Sequence, residues 1–324
     1  MVSTRLLMCL LGTVAVMLPG PVAAQAFPSR PVRLVVPFAP GGTTDLLARI
    51  IAEKVGPALG QTVVVENKAG AGGALGAGEV ARSAPDGYTL LMSSVSTMAA
   101  NPAINPATPY DPNIDFVHII NVAATPNVIA VHPSFPARDY KAFVGALSSN
   151  PGKFSFATAG NGSVGHLLGE LYKRSAQVYV THIPYRGSGP ALNDVVAGQV
   201  PIVVDNLPSA LPFIKDKRLV PIVVAAPARL AALPQVPTLA EVGLAAVNRM
   251  SFLGVSAPKG TPKVVVDKLN AAIKSALADL PVKERIEATG AMVVGNSAAE
   301  FQQQVSDELA VYRRVVLEQK LRLE

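Results

Sequence analysis

Residues 35–51 read VVPFAPGGTTDLLARII, an apolar run that passes through Pro40-Gly41-Gly42 into an amphipathic pattern. Val32 to Val36 is short and β-branched and predicts a strand. Leu46, Leu47, Ile50, Ile51, Val55 and Leu59 then recur at helical spacing, with Thr43 or Thr44 placed to cap the helix start. Two readings of the turn stand side by side. Gly and Thr are ordinary turn and capping residues; they also keep backbone N–H groups clear for an anion at the positive end of a helix.

Working outward, the same alternation repeats. Thr62 to Glu66 reads as a strand, Ala69 to Gly78 opens a small-residue helix ending near Arg82, and Tyr88 to Ser93 is a third strand. Prolines between Asn101 and Pro112 mark irregular chain. Val128 to Val131 begins a second series, with strands at Phe154 to Ala157, Val180 to Pro184, Pro201 to Val204 and Leu219 to Ala225. Helices are expected over Val164 to Ser175 and from Pro190 to Ala197, the proline standing first in its helix. The C-terminal quarter reads as mostly helical: Thr261-Pro262 starts one helix, and Ser297-Ala298-Ala299-Glu300 is a capping box before Phe301, Val305, Leu309, Tyr312 and Val316. Strand–helix alternation of this kind predicts an α/β fold with mainly parallel twisted sheets flanked by helices.

The 324-residue chain is 50% hydrophobic and 15% charged, with mean hydropathy +0.36, a globular composition long enough for two domains. Arg5 precedes an apolar run from Leu6 to Leu18, followed by Pro19-Gly20-Pro21 and Val22-Ala23-Ala24. A basic start, a short apolar core and small residues predict a signal peptide over residues 1–24, cleaved after 24 or 26. The run falls short of the ~20 residues of a membrane anchor, so export as a soluble protein is expected. Cys9, the only cysteine, lies in that leader, which excludes disulfides, thiolate catalysis and cysteine metal ligands from the mature chain. Removing Arg5 leaves 27 basic against 22 acidic residues, a net +5. These charges are scattered, so nucleic-acid binding is not expected, whereas a mildly positive field helps collect small anions.

Three loops share one design of strand, Gly-rich turn with Ser or Thr, and helix: Pro40 to Thr44, Gly160 to Ser163 and Arg186 to Gly189. Each alone is what any α/β protein uses at a turn. Together, at the carboxyl ends of successive strands, they point to a ligand cleft. AGAGGALGAGEV, from Ala69, fails the dinucleotide fingerprint because Leu75 stands where the third Gly is needed, so a close-packed Gly/Ala helix is favoured. Ser163, His166 and Asp205 suggest an alternative, an exported serine hydrolase acting on small esters. Asn161 occupies the position where a nucleophile elbow needs Gly. His118, His132 and His182 have no metal-ligand spacing, and no metal or cofactor is expected. Asp45 is either a helix N-terminal acid or a loop-orienting group, and Arg186 either pairs with a ligand carboxylate or lies in solvent.

Phe27-Pro28-Ser29-Arg30-Pro31-Val32, VPFAPGGTTD, APDGYTLL, ATAGNGSVGHL, IPYRGSGPALNDVVAGQV and LPQVPTLAEVGL together resemble the substrate-binding proteins of tripartite tricarboxylate transporters, the TctC or Bug family. The resemblance spans essentially the whole mature chain. It implies a two-domain periplasmic binding protein that closes like a flytrap, with residues 27–125 and 229–324 forming a split first domain around 126–228. The implied function is non-enzymatic capture of a small organic carboxylate for membrane transporter subunits, by a monomeric protein. Carried onto this chain, Phe38, Pro40, Gly41, Gly42, Thr43 and Asp45 would hold one carboxylate, partly through water, flanked by Ser94 and Thr97. The second domain would contribute Thr158, Ala159, Gly162, Ser163, His166, Tyr185 and Asp205. Many relatives carry a Trp before the Phe-Gly return segment; this chain reads Arg249-Met250-Ser251-Phe252-Leu253-Gly254 and has no Trp.

Overall fold

The β-branched run Val32–Val36 forms β1, and helix α1 (Thr43–Leu59) follows the Gly-rich turn as expected. The computed structural model describes residues 27–322, so the leader expected over 1–24 lies outside the described residues. β2 (Val63–Asn67), α2 (Ala74–Ala81) and β3 (Thr89–Ser94) complete two parallel crossovers, with β1 between β2 and β3. Ser96–Ala100 then forms a wide helical turn that runs into α3 (Asn101–Ile104), where the prolines predict irregular chain. Pro102 lies inside this continuous helical run, directly after Asn101, whose amide donates to the Ser96 carbonyl. β4 (Phe116–Thr125) joins the same sheet and leads through Pro126 into β5 (Asn127–Val131) of a second sheet. There follow α4 (Tyr140–Ser149), β6 (Ser155–Thr158), α5 (Val164–Ser175), β7 (Thr181–Pro184), α6 (Ser188–Val196), β8 (Ile202–Asn206), α7 (Leu207–Lys215) and β9 (Val220–Ala225). The chain returns in β10 (Ser251–Pro258) and ends with α8 (Lys263–Ala278), α9 (Leu280–Glu287), β11 (Met292–Val293) and α10 (Ala298–Glu318).

The first sheet has the order β11-β4-β10-β3-β1-β2 and the second β7-β6-β8-β5-β9. Both are mixed, which corrects the expectation of mainly parallel sheets. β10 runs antiparallel to β3 and β4, and β5 runs antiparallel to β8 and β9. Parallel neighbours need a crossover, usually a helix, within one sheet. β5 and β10 instead arrive directly from the other sheet, so nothing holds them to the parallel sense. The last quarter is mostly helical, as read, through α8, α9 and α10, but β10 is a strand which that reading did not include. All eight of its residues are buried, so the two-residue alternation that marks a half-exposed strand is missing.

Helices cover both faces of each sheet. In the first domain α1 packs with α8 over one face through Leu47, Ile51, Leu269 and Ile273, while Phe301, Val305 and Leu309 of α10 cover the other. The capping box at Ser297 and Glu300 is present. In the second, Phe143, Leu147, Leu168 and Tyr172 fill one side, and Leu192, Val195, Leu207 and Leu211 the other. Leu233, Val236, Leu239 and Val247 belong to these second-sheet clusters, and Val224 bridges Thr238. The return to the first sheet therefore falls between Asn248 and Ser251, beyond residue 229. Two links join the domains, Thr125-Pro126-Asn127 and Asn248 to Ser251. They are tied to each other where Asn127 Nδ2 donates to the Arg249 carbonyl at 2.9 Å and Ser251 Oγ donates to Asn127 Oδ1 at 3.2 Å.

Candidate functional site

The cleft between the two sheets is walled by helix starts. The turn before α1 supplies Phe38, Gly42, Thr43 and Thr44; the end of β3 supplies Ser94, Val95 and Ser96. Facing them are Ala159, Ser163, Val164 and Gly165 at the start of α5, Ser188 at the start of α6, and Asp205 and Asn206 before α7. First-turn amides such as those of Thr43, Thr44 and Gly165 have no acceptor within their helix. The positive ends of four helices thus converge on one cavity. Among the described residues, no Lys or Arg lines it. Ser94 Oγ is buried without a hydrogen-bond partner, an uncommon state for a side-chain oxygen in a folded protein.

The helix caps differ from the sequence expectation. Gly42, not Thr43 or Thr44, is the N-cap of α1, and no side chain caps it. The Thr43 hydroxyl is turned to the other domain, where it accepts from Ser209 N at 3.1 Å and lies 2.9 Å from Ser209 Oγ. α6 begins at Ser188, so Pro190 is its third residue rather than its first. Ser163 does cap α5, its Oγ accepting from His166 N at 3.3 Å.

Of the residues the resemblance singles out, Phe38, Gly42, Thr43, Ser94, Ala159, Ser163 and Asp205 line the cavity. The others do not line it. Asp45 braces the first loop: its carboxylate accepts from Gly41 N at 3.1 Å, from Asn67 Nδ2 at 2.9 Å and from Arg49. Burial pushes the Asp45 carboxyl up, but the hydrogen bonds from Arg49, Asn67 and Gly41 outweigh it and hold it below the usual carboxylate range. The Gly41 amide is thereby committed to Asp45, and Pro40 is exposed. Thr97 shapes the turn after β3 by accepting from Ser94 N at 3.1 Å.

The second loop is braced in the same manner. His166 Nδ1 accepts from Gly162 N at 3.1 Å, and its ring stacks on His182 with centroids 4.0 Å apart. Thr158 Oγ1 accepts from Gly160 N at 3.2 Å and bonds His182 Nε2 at 2.7 Å. Burial, joined by His166 and Lys173, pushes His182 down to about 3, so that ring is neutral at physiological pH. Tyr185 points its hydroxyl to Asp194 at 2.6 Å. Arg186 is exposed, and its contribution is a carbonyl that accepts from Ala39 N across the cleft at 3.0 Å.

Asp205 is 4% exposed and accepts from Ser188 Oγ at 2.5 Å and Ser209 Oγ at 2.7 Å. Burial raises its carboxyl to about 6, opposed by those hydroxyls and the Asn206 amide. These bonds do not assemble a hydrolytic triad: Ser163 Oγ caps a helix, His166 Nδ1 faces an amide, and Asp205 is engaged by two serines. Thr44 and Ser188 lie in the Gly-rich loops that the sequence singled out, whereas sequence reasoning missed Ser96, Asn206, Ser209 and Ser251. A lone serine carries no spacing signal, and only the fold brings these together from both domains.

The domains meet closely around this cavity. Val164 N donates to Ser96 Oγ at 3.0 Å. A Cβ on Gly72 would lie 2.1 Å from the Asn161 carbonyl oxygen, and one on Gly189 the same distance from that of Pro40. Glycine is required wherever backbone approaches backbone so nearly.

Two α/β domains joined by two links, with helix starts facing each other across a cleft, define a bilobal solute-binding protein. The family model for the "Tripartite tricarboxylate transporter family receptor" matches residues 47–321, and the chain belongs to that family. Protein BugT of Bordetella pertussis is 37% identical over 300 residues, covering 92% of each chain. A solved structure described as a periplasmic transporter has a TM-score of 0.91 at 45% identity, covering 92% of this chain and 100% of that one. Two further solved structures, both from R. palustris, carry ligands. MatC has bound malate (TM-score 0.87, 36% identity, 90% of this chain, 100% of that one). Rpa4515 is with adipate (TM-score 0.86, 34% identity, 90% of this chain, 97% of that one). Members of the family are periplasmic binding proteins. Among the described residues no helix is long and apolar enough to cross a membrane.

Proposed function

We propose that this chain is a periplasmic, non-enzymatic solute receptor. It would capture a small organic carboxylate in the inter-domain cleft and deliver it to the membrane subunits of a tripartite tricarboxylate-type transporter. The observation that carries the reading is the cleft's donor set: first-turn amides of facing helices, no Lys or Arg among the described residues that line it, and a buried Ser94 hydroxyl without a partner. Anions at helix starts are held by charge-assisted hydrogen bonds from the backbone, and water exclusion strengthens each of them. Phe38, Gly42, Thr43 and Ser94 would serve the carboxylate from the first domain, and Ala159 and Ser163 from the second, with Asp205 lining the cleft beside them. Pro40, Gly41, Asp45, Thr97, Thr158, Gly162, His166 and Tyr185 would act by holding those loops in place. The ligands of MatC and Rpa4515 are both carboxylates, one with a hydroxyl and one without.

The test is a thermal-shift screen of the mature protein against a panel of carboxylates, read with a dye because the chain has no Trp. A ligand present at 100 times its Kd stabilises the folded state by about 2.7 kcal/mol, so a true ligand raises the melting temperature measurably. Failure of every carboxylate to do so overturns the reading. Ester turnover abolished by Ser163→Ala would establish the hydrolase instead.

A further inference from the structure

Among the described residues lining the cleft, Asp205 is the one ionisable side chain. It is nine-tenths buried, and every group bonded to it is neutral. Ser188 Oγ and Ser209 Oγ donate to its two oxygens, and the Asn206 amide adds a third bond. A carboxylate has about four acceptor positions, which leaves one for a ligand. Ser209 is in turn held by Thr43 of the facing domain, so the acid sits where closure presses a ligand against it. A second ionised carboxylate brought beside Asp205 would meet a like charge in a water-poor site, with no Lys or Arg among the described lining residues to offset it. A hydroxyl or ammonium brought to the same place would fill the open acceptor position.

We propose that Asp205 selects carboxylates that also carry a hydrogen-bond donor, a hydroxyl or an ammonium, over unsubstituted monocarboxylates and over dicarboxylates without such a donor. The inference rests on the reading of the cleft as a carboxylate site: the helix starts take the ligand's carboxylate, and Asp205 reads what else the ligand bears. Buried polar groups discriminate most strongly against an analogue that leaves them unpaired.

The experiment uses the mature protein and matched sets of three to six carbons: the plain monocarboxylate, its hydroxy and amino derivatives, and the dicarboxylate. Thermal shift ranks them and calorimetry measures the binders. The expected result is that the tightest ligand is a hydroxy or amino acid, at least tenfold tighter than its plain and dicarboxylate counterparts. Asp205→Asn should shrink that preference at least tenfold. A plain acid or dicarboxylate that binds as tightly as its donor-bearing counterpart overturns the proposal, as does an Asp205→Asn ratio equal to wild type. Should the variant fail to fold, the wild-type ratios decide alone. If no carboxylate binds the wild type, the carboxylate reading itself falls and this inference with it.

Discussion

Replacing Asp205 by Asn isolates the cost of burying one carboxyl. Burial carries it from 3.8 to about 6 against the pull of Ser188, Ser209 and the Asn206 amide. At 1.36 kcal/mol per pH unit, that difference corresponds to about 3 kcal/mol. The direction follows from which form the folded protein prefers. A carboxyl raised in the native state favours folding below about pH 4, and that contribution is lost as pH rises through about 6. Asn has no proton to lose. The stability of Asp205→Asn minus that of wild type should therefore rise by about 2.4 kcal/mol between pH 4 and pH 7 and then level off. Every other titrating group is common to both proteins, so subtraction removes it. Urea unfolding followed by far-UV circular dichroism at pH 4, 5, 6 and 7 supplies both curves. A difference that stays constant within about 0.5 kcal/mol across that range would refute the assignment of a buried, penalised acid to this position.

Ser94→Ala removes a buried hydroxyl that has no partner, so the ligand-free protein should be unchanged or slightly more stable; carboxylate affinity should fall at least several-fold by calorimetry. A loss of stability without loss of affinity would place Ser94 in the scaffold. Gly189→Ala puts a methyl 2.1 Å from the Pro40 oxygen of the facing domain, a clash present only when the domains meet. Its ligand-free melting temperature should match wild type while affinity drops at least tenfold, and unchanged affinity would contradict closure at this contact. Ser297→Ala breaks the capping box of α10 and should cost about 1 kcal/mol in urea unfolding, with ligand affinity unaltered.

The first three strands and α1 were legible because their signals are local: β-branched runs, glycine turns and a 3.6-residue stripe. α5 and the capping box of α10 were legible for the same reason. β4 and β10 were not, since strands covered on both faces lose the alternation that announces a strand. The mixed sense of the first sheet went unread with β10, the antiparallel strand between β3 and β4, whereas in the second sheet β5 was legible as a strand but its direction was not. In the cleft, the glycine turns pointed to Gly42, Ser163 and their neighbours. Loop-bracing residues were harder to tell from lining ones. Asp45 and His166 stand beside loop residues in sequence, yet each spends its acceptors on loop amides, Gly41 N and Gly162 N respectively. The serines at 96 and 209 had no signal of their own, because their importance comes from facing another domain.

That facing arrangement bears on how such a receptor would respond to its ligand. The amide of Val164 and the hydroxyls of Ser96, Thr43 and Ser209 bond across the cleft, and all but Ser209 also line it. The donors that would hold a carboxylate are neighbours of those that hold the domains together. A ligand favours closure only to the extent that it binds the closed form better than the open one. Each direct inter-domain bond lowers the closure energy the ligand must supply, but it also populates closure without one. Weakening the Thr43–Ser209 contact by Thr43→Val should therefore shift the ligand-free protein toward open forms, seen as a larger radius of gyration by small-angle scattering, with saturating ligand restoring the wild-type value. An unchanged radius in the ligand-free variant would show that this contact does not hold the domains closed.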